Sequence, residues 1–506
     1  LHVIGSAPYD QGRNIQRYLA SDVTRLFESW AHDALSQRRI EGSPRQKAIV
    51  VEVFPKGSSV KNVRWKIITR RDFLAGLGAA SIGVSLPAAE MSRPAQSAVV
   101  LLADEVGVVR PELHGQFIEQ RGTCVYGGLW VGLDSSVPNI YGYRKAAVEY
   151  LQKIQVPVMR WPGGCFAEIY HWEYGIGSAK RRRSFMTKFG HSEVESSQFG
   201  THEFIGLCRL FGAQPYVAGN VGSGTPAELK NWMEYCNYQR PTTLTKEREA
   251  NGDAQPFGVK YWGVGNEAWG CGGYMSSEEY AREYLRFANL TEGFDDPKPF
   301  LIACGPLEND TAWTRTFMDV STPYRPNGLS MHYYCRGRSG DMTYDGPSAE
   351  AQFREFAGFE AAIITQRSLM DSYPMGSKVG LVVDEWGVWD RLTQKQQDDH
   401  GNLWQQVTMR SAVAAALGLN IFTRQADKLV MCNIAQTVNI LHALIFAEHD
   451  QCVRTSTYYV FEMMKVHRGG IAVRVISDTA SDLPVSIAAT KKEWDAGDDV
   501  RQSAGW

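Results

Sequence analysis

The sequence has almost no net charge. Its 53 Lys and Arg against 55 Asp and Glu leave −2 over 506 residues. A chain so balanced carries no electrostatic footprint for nucleic acid and no polybasic face for an anionic membrane. Cysteine is sparse and odd in number, nine in all. Complete internal pairing is therefore excluded, and no CxxC or Cys/His cluster has the spacing of a zinc site. These residues are expected to be mostly free, buried thiols, with no disulfide scaffold and no metal. No glycine-rich phosphate loop is present, which argues against nucleotide-dependent enzymes. There is no 20–50-residue repeat and no long low-complexity tract, so solenoids and propellers are excluded as well. No cofactor is expected.

What is there is an ordinary globular composition, 44% hydrophobic and 21% charged. The chain is long enough for a full (β/α)8 barrel plus an accessory domain. Residues 1–63 are mixed and polar and are left unassigned. Residues 64–97 resemble a twin-arginine export signal. Thr69-Arg70-Arg71-Asp72-Phe73-Leu74 precedes the small apolar run from Ala75 to Val84, and Pro87-Ala88-Ala89 follows. That run is too short and too glycine-interrupted to cross a bilayer or to pack well as a core helix. If the signal functions, the mature chain starts near residues 89–98 and is periplasmic or secreted; otherwise it is cytoplasmic. No membrane association of the mature chain is expected.

From about residue 98 short apolar runs alternate with helical patterns. The candidate strands are Gly115–Gln120, Val156–Trp161, Pro215–Val221, Lys260–Glu267, Leu301–Gly305, Leu329–Tyr334, Val379–Trp386 and Leu429–Ala435. Between them lie amphipathic stretches. One opens with the capping box Ser276-Ser277-Glu278-Glu279 and continues with Tyr280, Tyr284, Leu285 and Ala288 on one face. Eight buried strands separated by helices predict a closed parallel barrel. The strands also end in chemistry: Glu119, Arg160, Asn220, Asn266-Glu267, His332 to Tyr334, Asp384-Glu385, Asn433 and Gln436. The C-terminal strand ends of such a barrel form its active-site face. Each polar residue alone reads as a cap or a satisfied core group; the series reads as a site.

Two of these ends carry a glutamate after a strongly apolar run. Tyr261-Trp262-Gly263-Val264-Gly265-Asn266-Glu267 is one, and Leu381-Val382-Val383-Asp384-Glu385-Trp386-Gly387 the other. They lie about three β/α units apart, so they face each other across a barrel mouth. Glycoside hydrolysis needs such a pair: one carboxyl protonates the departing oxygen, and the other attacks the anomeric carbon or activates water. A gap of about 5–5.5 Å gives retention and about 6.5–9.5 Å gives inversion. The nucleophile must stay ionised, with Arg160 and Tyr334 as candidate donors.

The ordered motifs resemble the glycoside hydrolase family 51 α-L-arabinofuranosidases from about residue 98 onward. The segments that carry the resemblance are Arg160-Trp161-Pro162-Gly163-Gly164-Cys165-Phe166-Ala167-Glu168-Ile169-Tyr170-His171-Trp172, Phe199-Gly200-Thr201-His202-Glu203-Phe204 and Gly263-Val264-Gly265-Asn266-Glu267-Ala268-Trp269-Gly270-Cys271-Gly272-Gly273. Leu329-Ser330-Met331-His332-Tyr333-Tyr334, Val383-Asp384-Glu385-Trp386-Gly387 and Asn433-Ile434-Ala435-Gln436-Thr437-Val438-Asn439 complete the set. The resemblance implies a (β/α)8 barrel over 111–468 beside a jelly-roll-like β-sandwich. A strand from 98–110 and a partial, truncated portion at 469–506 would build that sandwich, since Lys491 to Trp506 is polar and shows no alternation. It also implies a retaining, exo-acting enzyme that releases terminal α-L-arabinofuranose from arabinan, arabinoxylan and oligosaccharides, and it is compatible with a homo-oligomer.

By motif position Glu267 is the acid/base and Glu385 the nucleophile. Asn266 holds the sugar 2-hydroxyl. Glu119, Arg160, Cys165 and Gln436 line the furanose pocket, His332 and Tyr334 orient the carboxylates, and Trp269 and Trp386 are candidate sugar-stacking walls. Cys165 stands where other members carry Asn, Ile118-Glu119-Gln120 where many have Ala-Glu-His, and Ala268 where Asn is usual. The segment Arg336–Ser348, rich in glycine and charge, is expected to be a loop that reshapes the aglycone side. Two alternatives compete: a β-xylosidase or endoglucanase on the same barrel, and an inactive, truncated carbohydrate-binding fragment.

Overall fold

The computed structural model describes residues 47–56, 59–69, 96–477 and 488–491, apart from 188, 190–193, 295 and 325. The chain divides into two compact units. The first, residues 1–48 and 68–84, falls almost wholly outside the described residues; the described strands and helices belong to the second, residues 49–67 and 85–506, but for a few strand-end residues. The twin-arginine motif, from Arg70 onward, lies outside the described residues.

Eight parallel strands close into a barrel in chain order: β1 (Gly115–Phe117), β2 (Val158–Trp161), β3 (Gln214–Gly219), β4 (Tyr261–Val264), β5 (Phe300–Ala303), β6 (Gly328–Gly340), β7 (Gly380–Arg391) and β8 (Leu429–Ile434). All eight overlap the candidate strands. Strands buried on both faces need continuous apolar side chains, which is why they stand out. Val158, Tyr216, Tyr261, Ile302, Val382 and Met431, one from each of six strands, fill the barrel interior. A larger apolar layer packs the strands against the surrounding helices.

The helix Ser277–Leu290 shows how local and tertiary signals agree. Ser276 caps it and Glu279 reaches back, completing the predicted box. Tyr280 and Tyr284 are buried from its apolar face. The Tyr280 hydroxyl donates to the Val264 carbonyl at 2.5 Å and accepts from the Cys304 amide at 2.5 Å. One side chain thus links the ends of β4 and β5.

Two expectations are corrected here. Arg336–Gly340 is no loop: β6 and β7 run on past the barrel rim and stay paired, with Arg336 opposite Trp389 and Gly340 opposite Arg391. The chain then turns into a helix at Gly346–Asp371, capped by Asp345. Secondly, strands occur at Lys47–Lys56 and Ser59–Thr69, where no element was expected. They join one five-stranded sheet in the order Ala489–Lys491, Ile471–Ser477, Gln96–Val108, Lys47–Lys56, Ser59–Thr69. Within it Gln96–Val108 runs antiparallel to Ile471–Ser477. A β-rich domain therefore accompanies the barrel. Among the described residues no helix is long and apolar enough to cross a membrane.

Candidate active site

A bulge sets the geometry at one side of the barrel mouth. Met331 of β6 pairs with Val383 of β7, yet His332 pairs with Glu385, so Asp384 is the extra residue. Such an insertion re-aims the side chains that follow it. Glu385 is only 6% exposed. Its Oε1 accepts from Arg160 Nη1 at 2.8 Å, and its Oε2 accepts from the Tyr334 hydroxyl at 2.6 Å. Burial alone would push this carboxyl up. The His332 and Arg160 charges and the two hydrogen bonds outweigh it and hold Glu385 below the usual carboxylate range. Burial keeps Tyr334 a phenol, and so a donor.

Opposite, β4 stops at Val264, sooner than the apolar run suggests. Gly265 takes a left-handed φ of +82°, a conformation glycine adopts readily, and Glu267 sits at φ +45°. The Glu267 carbonyl accepts from Gly270 and Gly272, closing the turn. Its Oε1 lies 3.0 Å from His332 Nδ1, and the same ring nitrogen is 3.7 Å from Glu385 Oε2. Facing oxygens of Glu267 and Glu385 lie within 4.8 Å of one another. Burial would drive the His332 ring toward neutrality; the Glu385 charge and the hydrogen bond to Glu267 reverse this and raise its pKa.

Arg160 spans both halves. It donates to Glu385 through Nη1 and to Asn266 Oδ1 through Nη2 at 2.7 Å, while its guanidinium lies 4.7 Å from the Phe117 ring centre. Glu119 is buried, accepting from the Phe166 amide and from Gln436 Nε2, each at 2.8 Å. Burial raises its pKa despite these donors and nearby Arg121. Gly163 and Gly164 make room for it: a Cβ on either would meet Glu119 at 2.8 or 2.9 Å. Gln436 Oε1 is buried without a partner. Trp269 is half-buried, edge-on to His332 with ring centres 6.4 Å apart.

Two expectations change. Trp386 is not a sugar wall: it is 0% exposed, packed edge-on against Phe422 and over Gly418 in the helix layer. Cys165 is not a free thiol. It is joined to Cys271 by a disulfide, with Cα atoms 5.6 Å apart, while the other seven cysteines stay free. The two sulfurs lie 3.6 and 3.3 Å from Glu267 Oε2.

Sequence reasoning gave no role to Glu168 or Tyr216, and counted Asp384 only as one of the polar strand ends. Glu168 Oε2 accepts from the Val221 amide at 2.8 Å and the Gly222 amide at 2.5 Å, and its Oε1 from the Asn266 amide. Asp384 accepts from the Tyr216 hydroxyl at 2.9 Å beneath Glu385. For Glu168 the available signal was its charge inside the otherwise uncharged, glycine-containing run from Trp161 to Tyr170.

Comparison with known proteins places this arrangement. Residues 150–345 match the family described as α-L-arabinofuranosidase 1 domain, and residues 384–497 the α-L-arabinofuranosidase C-terminal domain. The chain is 40% identical over 395 residues to an intracellular exo-α-L-arabinofuranosidase of Bacteroides ovatus, covering 76% of each. It is 32% identical to α-L-arabinofuranosidase C of Emericella nidulans, covering 70% of this chain and 71% of the relative. The crystal structure of the family 51 arabinofuranosidase from Xanthomonas axonopodis pv. citri superposes with a TM-score of 0.72 at 37% identity, covering 76% and 79% of the two chains. An arabinose complex of the Thermotoga maritima α-L-arabinofuranosidase gives 0.67 at 28%, covering 76% and 78%.

Proposed function

The chain belongs to the family 51 α-L-arabinofuranosidases, a glycoside hydrolase by that membership, and from this premise we propose how it works. It removes terminal, non-reducing α-L-arabinofuranosyl residues from arabinan, arabinoxylan and their oligosaccharides, with retention at the anomeric carbon. The observation that carries this is the short gap between Glu267 and Glu385, whose facing oxygens lie within 4.8 Å. Oxygens this near each other favour the close carboxyl pair of a retaining enzyme, about 5–5.5 Å apart, over the about 6.5–9.5 Å of an inverting one.

Glu385 is the nucleophile. Its depressed pKa keeps it ionised, and the Arg160 and Tyr334 bonds orient it toward the anomeric carbon. Glu267 is the acid/base. It protonates the departing glycosidic oxygen as Glu385 forms the glycosyl–enzyme bond. That step removes the charge from Glu385, after which Glu267 takes a proton from water and water releases the sugar. Asn266, held by Arg160, faces the sugar 2-hydroxyl. Glu119 and the unpartnered Gln436 Oε1 bind further furanose hydroxyls, and Trp269 supplies an apolar wall. The export motif, together with a disulfide of the kind that persists in oxidising compartments, supports location outside the cytoplasm. Fractionation of cells expressing the full chain tests this.

The chemical test uses 4-nitrophenyl α-L-arabinofuranoside. Glu385→Ala is expected to lose activity by several orders of magnitude. Glu267→Ala is expected to keep most of its kcat/KM on this activated leaving group but to lose kcat, since water is no longer activated to release the glycosyl–enzyme. It is expected to lose both on arabino-oligosaccharides, and to regain kcat with azide as the α-configured arabinosyl azide. A β-configured azide, or a parent that cleaves only 4-nitrophenyl β-xyloside, sinks the reading.

A further inference from the structure

Cys165 follows β2 and Cys271 follows β4, so the disulfide ties two active-site loops that are 106 residues apart in sequence. Both residues are half-buried, hence reachable from solvent, whereas six of the other seven cysteines are buried. Glu267 Oε2 sits against both sulfurs, at 3.3 and 3.6 Å. One ligand atom from each of Cys165, Cys271 and Glu267 falls within 4.8 Å of the others.

We propose that, when the disulfide is reduced, Cys165, Cys271 and Glu267 form a binding site for a thiophilic divalent cation such as Zn2+, which stops catalysis by occupying the Glu267 carboxylate. The inhibitory half of this rests on Glu267 being the acid/base. Opening the site is a balanced exchange: two molecules of a small thiol, 2 RSH, give up two electrons and two protons, the S–S bond becomes two S–H groups, and RSSR leaves. The cation then displaces the thiol protons, since zinc binds thiolates. A tetrahedral zinc with bonds of about 2.3 Å to sulfur and about 2.0–2.2 Å to a carboxylate oxygen sets sulfur–oxygen edges of about 3.5 Å. The present separations of 3.3 and 3.6 Å match those edges, so only the two sulfurs must part, by side-chain rotation. Three protein ligands leave the fourth position to water. In the oxidised state neither sulfur is a thiolate, and the site is closed. The pair thus makes the enzyme's sensitivity to soft metals depend on redox state.

The test compares the full wild-type chain reduced with a phosphine and desalted against the same chain oxidised with diamide, both folded by circular dichroism. ZnCl2 is titrated into each by calorimetry. Reduction is expected to expose two additional reactive thiols. The reduced chain should then bind one Zn2+ at least 100-fold more tightly than the oxidised chain, and hydrolysis of arabino-oligosaccharides, whose leaving sugar needs the Glu267 proton, should fall with occupancy and return with EDTA. Reduced Cys271→Ser and Glu267→Gln should each bind at least 10-fold more weakly. No gain of thiols in the native chain, no stoichiometric binding, or equal binding in both states overturns the site. Tight binding by the reduced chain without loss of arabino-oligosaccharide hydrolysis supports the site and instead overturns the acid/base assignment of Glu267.

Discussion

Glu168→Gln tests whether the acid/base is held from behind. Three backbone donors converge on the two oxygens of a side chain that is 2% exposed: Val221 and Gly222 on one, Asn266 on the other. Burial pushes this carboxyl up to about 7, against the pull of those three amides. An amide side chain has one acceptor oxygen. If that oxygen serves Val221 and Gly222, the new NH2 group faces the Asn266 amide, and that buried donor is orphaned at a cost of about 1–3 kcal/mol. The opposite orientation orphans two donors and costs about twice as much, so the first prevails. The lost tether belongs to the residue before Glu267. A stability loss of about 1–3 kcal/mol is therefore expected in urea unfolding. Loosening of the acid/base is expected to lower kcat/KM about 10–100-fold, equivalent to about 1.4–2.7 kcal/mol. The diagnostic is the leaving group. Arabinobiose, whose departing sugar needs a proton, should lose several times more than 4-nitrophenyl arabinofuranoside, whose phenolate does not. Equal losses on both substrates, or a variant as stable and active as the parent, would refute the reasoning.

Other expectations rest on single contacts. In His332→Asn the charge that helps depress Glu385 is gone, so the acid limb of kcat/KM should move to higher pH; an unmoved limb would show that Arg160 and Tyr334 suffice. The sign for stability is set by the same group. A folded pKa below the unfolded value of about 4.3 stabilises the native state above that pH, and the contribution vanishes as pH falls through the folded value. Gly164→Ala places a Cβ about 2.9 Å from Glu119 Oε1, so KM should rise roughly tenfold with kcat less affected; unchanged KM would remove Glu119 from the pocket. Trp386→Phe should cost about 1–3 kcal/mol in stability through the cavity it leaves, while KM stays within twofold; a selective KM increase would return Trp386 to the sugar site.

The barrel and its two glutamates were legible because both depend on one local pattern, an apolar run closed by a polar residue. The pattern overran at β4, where Gly265 and the left-handed Glu267 end the strand before the chemistry begins. It underran at β6 and β7, because Arg336 and Gly340 look like loop yet keep pairing beyond the barrel. The Cys165–Cys271 bond was hidden for a different reason. Its partners sit on separate loops, brought together only when β2 and β4 take their places around the barrel, and nine cysteines with no motif spacing specify no pairing. Glu168 stayed unread because its three partners are backbone amides, which no side-chain pattern announces.

Trp386 could have been placed from the sequence, and the reason extends to the whole site. Successive strand residues point to opposite faces. If Glu385 points into the mouth, Trp386 must point out into the helices, and it meets Phe422 of the helix Met409–Arg424. The same rule holds at β2, where Arg160 faces Glu385 and Trp161 stacks on Phe204 of the helix Thr201–Phe211, ring centres 5.0 Å apart. It holds again at β6: His332 faces the glutamates, while Tyr333 stacks on Phe359 of the helix Gly346–Asp371 at 4.6 Å, and Tyr334 returns to Glu385. Three strands thus pair an inward polar residue with an outward aromatic anchor. A ring locked between strand and helix fixes the backbone on which its polar neighbour is mounted, and alternation turns that rigidity inward to the reacting carboxylates.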